Sequence, residues 1–374
     1  MKIIFLRSFP YKSKVEFDFL FPIFVCKNYF KSLGYEILIK SKLKESLADC
    51  DILCVLSSCL RYNSNIPQYM TRLEEIIKLS QKTYFFDISD SAGILYEDGL
   101  EMFDLYYKKQ INKDKSLYTN SSMKDPRFHV NKYINNDNTK NDNDNRIKNY
   151  SHVNPEIINN IRISWNVGLG DYRTIISQHN LLNKYILFLQ TNVLGRKISL
   201  PNYRFRYQKF PIGKRTLDII SCFNSYNNQK NKPIFLHRKQ TSNIVNELEN
   251  KYSIVKGFFP KHQYYKYLQN SKIGISPFGW GEITWKDFEI FLNGLILLKP
   301  TMNHLSTWPN YFVENKTYIP YEWDTINLKE TIERLFDDIY LFEEIATQGQ
   351  KNYMHYNVIS NPKPFIDRFK RILH

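Results

Sequence analysis

The chain has 374 residues, which at about 150 residues per domain points to two domains. Hydrophobic residues make up 43% and charged residues 24%, a globular balance that excludes a wholly disordered chain, a collagen and a coiled-coil rod. A net charge of +15 favours anionic partners: nucleic acid, phosphorylated ligands or an acidic membrane face. The wealth of Lys, Asn, Ile, Tyr and Phe is also what an AT-rich genome produces, so charge alone does not choose among them.

No window of about 18 apolar residues is present, so no helix is expected to span a bilayer. Arg7 breaks the opening apolar run, which makes a poor signal peptide. Five cysteines, an odd number, do not form a disulfide framework. Cys50, Cys54 and Cys59 sit in an apolar run without zinc-site pairing and read as reduced core residues, which implies a cytosolic protein.

Taken in chain order, Lys2–Leu6 reads as a buried strand and Phe17–Leu33 as a helix closed by Gly34. Strands follow at Glu36–Ile39 and Asp51–Ser57, an amphipathic helix at Pro67–Ser80 and a strand at Thr83–Ile88. Strands buried on both faces and alternating with helices imply a parallel sheet. The last of these strands runs into Asp87-Ile88-Ser89-Asp90-Ser91. Polar residues at a strand's carboxyl end are candidates for binding or acid–base work, and the alternative is a helix N-cap built from Asp90 or Ser91.

Asn131–Tyr150 holds eight asparagines and almost no core formers, and reads as a solvated or disordered insertion. Gly168 and Gly170 suggest a turn or a close backbone approach. Leu181–Thr191 reads as a helix, and the aperiodic stretch Gly195–Pro211 carries the domain boundary.

The second half repeats the alternation. Strands are expected at Leu217–Phe223, Pro233–His237, Tyr252–Val255, Lys272–Ser276 and Leu295–Leu298. Helices are expected at Thr241–Asn250, Gln263–Asn270, Thr284–Leu292, Leu328–Phe336, Leu341–Gly349 and Pro364–Leu373. The expected fold is α/β, two Rossmann-like halves facing across a cleft.

The segment richest in chemistry is Ser276-Pro277-Phe278-Gly279-Trp280-Gly281-Glu282-Ile283-Thr284-Trp285-Lys286-Asp287-Phe288-Glu289. It follows a strand, holds two glycines and opens a helix. Glycines let a loop approach a ligand, and a helix N-terminus favours an anion such as a diphosphate. Glu282 and Glu289 are seven residues apart, about two helical turns, so both could point at one ligand edge.

This pattern, completed by an apolar strand and Pro300, resembles the donor-binding region of GT-B glycosyltransferases of the glycosyl-transferases-group-1-like kind, with a looser echo of the exostosin domain. The similarity covers about residues 215–325. In retaining members of that fold a glutamate pair has seven intervening residues, where this chain has six. The resemblance implies that Glu289 holds the ribose of a nucleotide sugar, with Glu282 and the backbone around Gly281 facing the sugar or diphosphate. It implies an N-terminal acceptor domain (1–195), a C-terminal donor domain (196–360) and a last helix (361–374) packing back on the first.

His237-Arg238-Lys239 is a cationic cluster suited to a phosphate, or else a solvated basic turn. GT-B enzymes without a bound metal commonly neutralise the leaving diphosphate with Arg or Lys. His304 lines the cleft or is a hydrogen-bonded structural histidine, and Gly257-Phe258-Phe259-Pro260 could flank the base. The expected donor-binding residues are thus His237, Arg238, Gly279, Trp280, Gly281, Thr284, Lys286, Glu289 and His304. The catalytic candidates are Asp87, Asp90 and Glu282, an acceptor-side carboxylate serving as base if the transfer inverts.

P-loop, Gly-x-Gly-x-x-Gly, zinc and nucleophile-elbow motifs are absent. Asp142-Asn143-Asp144 lies in the Asn-rich insertion and is no convincing metal motif. The reading is a metal-independent glycosyltransferase that takes a nucleotide sugar as co-substrate and no cofactor. It transfers to a glycan or lipid-linked glycan, with no nucleic-acid partner. Its basic surface would allow peripheral contact with anionic membrane, at roughly 1 kcal/mol per Lys or Arg. The alternative is a non-enzymatic, basic nucleic-acid-binding protein whose Tyr and Phe stack bases.

Overall fold

A computed structural model describes residues 1–8, 14–119, 155–170, 214–225 and 232–374. The Asn-rich insertion, the helix expected at Leu181–Thr191 and the domain boundary lie outside the described residues.

The first unit contains β1 (Lys2–Leu6), α1 (Lys14–Ser32), β2 (Glu36–Lys40), β3 (Ile52–Leu56), α2 (Ser57–Asn63), α3 (Pro67–Leu79), β4 (Thr83–Asp87), α4 (Glu97–Met102), β5 (Leu105–Lys108), β6 (Gln110–Asn112), α5 (Pro155–Ile158) and β7 (Ile161–Ile163). The second contains β8 (Leu217–Ser221), α6 (Lys232–Glu247), β9 (Ile254–Lys256), α7 (Lys261–Asn270), β10 (Ser271–Ile275), α8 (Trp285–Leu292), β11 (Ile296–Pro300), β12 (Leu305–Thr307), β13 (Ile319–Tyr321), α9 (Leu328–Asp337) and α10 (Glu343–Tyr356), and the chain closes with α11 (Lys363–Leu373).

The first sheet runs β2-β1-β3-β4-β5-β7 and the second β9-β8-β10-β11-β13, with every neighbouring pair in both sheets parallel. Numbered within its own unit, each sheet begins 2-1-3-4. Ligands of such sheets sit where the order reverses, outside the carboxyl ends of the first and third strands. Buried apolar runs account for the strands: Ile52–Leu56 and Ile296–Leu298 expose almost nothing to solvent.

Among the described residues, a two-stranded ribbon and a threaded segment are among the links between the units. Strands β6 and β12 form an antiparallel ribbon, with Gln110 opposite Thr307 and Ile111 opposite Ser306. The segment after β7 threads the seam, where Asn166 donates to Pro309 O (2.8 Å) and Tyr311 donates to Gly168 O (2.9 Å). A Cβ on Gly168 would meet the Phe288 ring at 2.4 Å, so the glycine read as a close approach is one.

Helix α11 returns to the first unit, as the resemblance implies. Its apolar face, Phe365, Phe369, Ile372 and Leu373, is buried, and Phe369 packs on Phe30 (4.8 Å between centroids) and Phe5 (6.2 Å). The Tyr107 hydroxyl donates to Ile372 O at 3.1 Å.

All five cysteines are buried free thiols, in keeping with the sequence reading. Burial raises the Cys26 and Cys59 thiols to about 12. No helix among the described residues is long and apolar enough to cross a membrane.

One expected element is corrected. Residues 233–237 are not a strand but the opening of α6, which runs on without interruption to Glu247. Ile234, Phe235 and Leu236 form an apolar run that mimics a buried strand, yet Pro233 suits a first helical turn and Val245 continues the helix's buried side. His237 and Arg238 therefore project from a helix rather than follow a strand.

Candidate functional site

The loop after β10 is organised before any ligand arrives. Thr284 caps α8 with a reciprocal capping box: Asp287 accepts from Thr284 N at 2.8 Å, and the Thr284 side chain in turn serves the Asp287 backbone. Asp287 also accepts from Ser276 Oγ (2.6 Å) and from the buried Lys299 ammonium (3.1 Å). The capping box thus occupies the Thr284 and Asp287 N–H groups, so fewer N–H groups of the helix start remain for an anion than the sequence reading counts on.

The glycines of the loop serve close approaches within the protein. A Cβ on Gly279 would lie 2.8 Å from Arg238 Nη2, and one on Gly281 would lie 1.8 Å from Asp90 O in the first unit. Trp280, between them, is half-buried.

Glu282 is wholly buried and serves the seam. It accepts from Ala92 N (3.0 Å), Ser91 Oγ (3.2 Å) and Gln110 Nε2 (3.2 Å), all in the first unit. Glu289 instead accepts from Tyr264 OH (2.9 Å) and Tyr265 OH (3.0 Å) on α7. The expectation that both glutamates point at one ligand edge is therefore corrected. Helical spacing does not apply between them, because Glu282 precedes the cap at Thr284.

Outside the carboxyl ends of β8 and β10 the second unit gathers positive charge. Arg238 Nε donates to Phe278 O (2.9 Å) and Nη1 to Asn224 O (3.2 Å), and among the described residues Nη2 donates to none. Lys286 Nζ donates to Cys222 O and lies 5.1 Å over the Tyr264 ring. Burial pushes Lys286 and Lys299 below the ordinary lysine value, and the Arg238 charge adds to the effect on both. Burial lowers Arg238 too.

Two histidines flank this patch. Phe278 N donates to His237 Nε2 (3.3 Å), so Nδ1 carries the proton and bonds Trp323 O (3.2 Å). The His304 ring lies edge-on between Trp323 (4.7 Å) and Phe278 (6.2 Å). Beyond β9, Gly257 adopts φ +104°, and Phe258 stands 69% exposed.

The first unit brings Asp87 and Asp90 to the same seam in different states. Asp87 is wholly buried and accepts from Lys108 Nζ (2.6 Å), Tyr106 OH (2.7 Å) and Ser89 N (2.8 Å). With three donors on its carboxylate it holds the loop rather than facing a substrate. The Asp90 carboxylate is 47% exposed, and Lys109 Nζ, 4% exposed, lies 3.4 Å from it. Gln110 Nε2 donates to both Asp90 O and Glu282, tying the two loops together.

Sequence reasoning missed Lys109, Gln110, Tyr264 and Tyr265. The tyrosines lie in the helix expected at Gln263–Asn270, where nothing in the sequence marks them as partners of Glu289, and nothing local marks a lysine or glutamine that acts across the seam.

No protein-family model matches the chain, and no curated protein matches it in sequence. Solved structures with a similar run of elements include the Anabaena Alr3699/HepE protein in complex with UDP-glucose (10% identity, 99% of this chain and 100% of that one, TM-score 0.44). An alpha-glucosyltransferase in complex with UDP and a 13-mer DNA is 10% identical over 99% of both chains, with a TM-score of 0.46. A glycosyltransferase from Rickettsia africae is 13% identical over 100% of this chain and 98% of that one, with a TM-score of 0.47.

Proposed function

We propose that the chain is a glycosyltransferase that moves a sugar from a nucleotide sugar to an acceptor hydroxyl. The observation that carries this reading is the meeting of two loops. The order-reversal point of the second sheet presents Arg238, Lys286 and Glu289, and the Gly279–Glu282 loop beside it rests directly on Asp90 of the first unit. A phosphate-binding patch and an exposed carboxylate from the opposite unit are the two halves of a group-transfer site.

In this reading the Nη2 edge of Arg238 and the Lys286 ammonium take the diphosphate. Glu289 accepts ribose hydroxyls on the lone pairs its tyrosines leave, and Phe258 offers a face to the base. The acceptor O–H attacks the anomeric carbon as the bond to the diphosphate oxygen breaks. Asp90 takes the hydroxyl proton, and the departing negative charge remains with Arg238 and Lys286. Asp87, Glu282 and Gln110 hold the loops in register as positioning residues. His237 and Thr284 shape the donor loop without touching the donor. The acceptor is a glycan or lipid-linked glycan.

A thermal-shift series with UDP, GDP, CMP, ADP and their sugars tests the reading. A ligand at about 100 times its dissociation constant stabilises by ~2.7 kcal/mol. One nucleotide should raise the midpoint of the wild type and leave Glu289→Ala unmoved. No shift with any nucleotide would refute the donor site.

A further inference from the structure

Helix α11 has a second face. Away from its buried phenylalanines it carries Lys363, Arg368, Lys370 and Arg371 against one acid, Asp367. Arg368 is fixed: it donates to Ser164 O and Ile163 O and lies 5.6 Å over the Trp308 ring. On either side of Arg368 and Arg371 lies a hollow. The smaller, about 390 Å³, includes Trp308 and Tyr356 in its walls. The larger, about 970 Å³, is a groove between α11 and the edge of the first sheet, lined by the start of β4, by β5 and β7, and reaching Ile111 of β6.

The walls of the larger groove hold Lys82, Lys115, Arg162, Arg368, Arg371 and His374, against a single side-chain carboxylate, Asp104. Asp104 is already occupied, accepting from Thr83 N (2.7 Å) and Thr83 Oγ1 (3.0 Å). Among the described residues, Lys82, Lys115, Arg162 and Arg371 form no salt bridge. Unneutralised like charges lining a concave, low-dielectric wall focus a positive field. Between the cationic walls the floor is apolar, with Leu105 and Ile163 half-buried.

We propose that this groove binds a single-stranded nucleic acid, its phosphates on the cationic walls and its sugars and unpaired bases along the apolar floor. A wholly hydrophilic polyanion gains nothing from such a floor. A membrane is the poorer fit, because the groove is concave and none of the large exposed apolar side chains of the described surface lines it. The groove holds none of the residues assigned to transfer above, so the proposal does not depend on that reading. The sequence reading expected no nucleic-acid partner, since the basic residues concerned are scattered over nearly 300 positions and only folding gathers them.

The test uses the full chain without nucleotide sugar and a fluorescein-labelled 12-mer of oligothymidylate, followed by anisotropy. Four phosphate contacts on a single strand give a log–log salt slope near −2.8, so affinity should fall about 50-fold between 50 and 200 mM salt. Lys82→Gln/Arg371→Gln, two exposed positions, should weaken binding at least about tenfold and flatten the slope by about 1.4. Lys40→Gln/Lys351→Gln, equal in net charge but distant from the groove, should change affinity less than about twofold. Equal weakening in both double variants would reduce the effect to net charge and overturn the proposal, as would the absence of wild-type binding at 50 mM salt. So would wild-type binding to phosphatidylglycerol vesicles that the Lys82/Arg371 variant loses while it keeps the oligonucleotide.

Discussion

Gly281 stands so close to Asp90 that a methyl group on its α-carbon would come within 1.8 Å of the Asp90 carbonyl oxygen, a main-chain atom that cannot swing aside. The contact joins the unit that carries Arg238 to the unit that carries the exposed carboxylate. Gly281→Ala should therefore force the loops apart, at a cost typical of overpacking, about 2 kcal/mol. Urea denaturation reads the stability, and turnover should fall further than the stability loss alone explains. A variant as active and as stable as the wild type would show that the loops do not work in contact.

Glu282 completes the same junction by accepting three donors from the other unit. Glu282→Ala strands a buried backbone N–H, a hydroxyl and an amide, and should cost about 3 kcal/mol. Gln110→Ala removes only one of those donors and leaves the carboxylate its other two partners, so it should cost less, about 1 kcal/mol. The order of the two losses in denaturant titrations is the check.

Asp90→Asn preserves shape and removes the proton acceptor. With Asp90 as base, kcat should drop between about 10² and 10⁴-fold while the donor dissociation constant stays within a factor of about two. A weakened donor constant with normal kcat would move Asp90 from proton transfer to ligand binding.

Burial raises the pKa of Glu16 above its ordinary value of 4.5, against the opposing pull of hydrogen bonds from Ser58 and Ser8 and of the Arg7 charge. The folded chain thus keeps this proton to higher pH than the unfolded chain does. Its contribution to stability is complete below the unfolded value and is lost as pH rises through the folded one. Relative to Glu16→Gln, the wild type should lose stability from pH 4.5 upward. A constant difference between the two across pH 4.5 to 8 would contradict this.

Most of the strands were legible because parallel strands buried on both faces are written as unbroken apolar runs, as Ile52–Leu56 and Ile296–Leu298 are. β5, β6, β7, β12 and β13 were not, being three or four residues long with Lys108, Gln110, Asn112, Arg162 and Pro320 among them. The loop from Ser276 to Glu289 stood out by its glycines and aromatics, and it does lie at the seam. What it touches could not be read locally: Glu282 finds partners 172 to 191 positions away. The strand expected at 233–237 failed for the opposite reason, since four apolar residues carry no period long enough to separate strand from helix.

The matching strand order of the two sheets has a consequence for stoichiometry. The first unit has its own reversal point, outside β1 and β3, where a duplicated architecture would offer a second berth. There Arg7, which directly follows β1, sets its charge beside the buried Glu16, and Glu16 accepts from Ser8 N (2.7 Å), Ser8 Oγ (2.8 Å) and Ser58 Oγ (2.8 Å). That berth is occupied from within, because the chain's own carboxyl group already takes the donors and the Arg7 charge that a phosphate would need. A calorimetric titration with the preferred nucleotide should accordingly saturate at one equivalent per chain, not two.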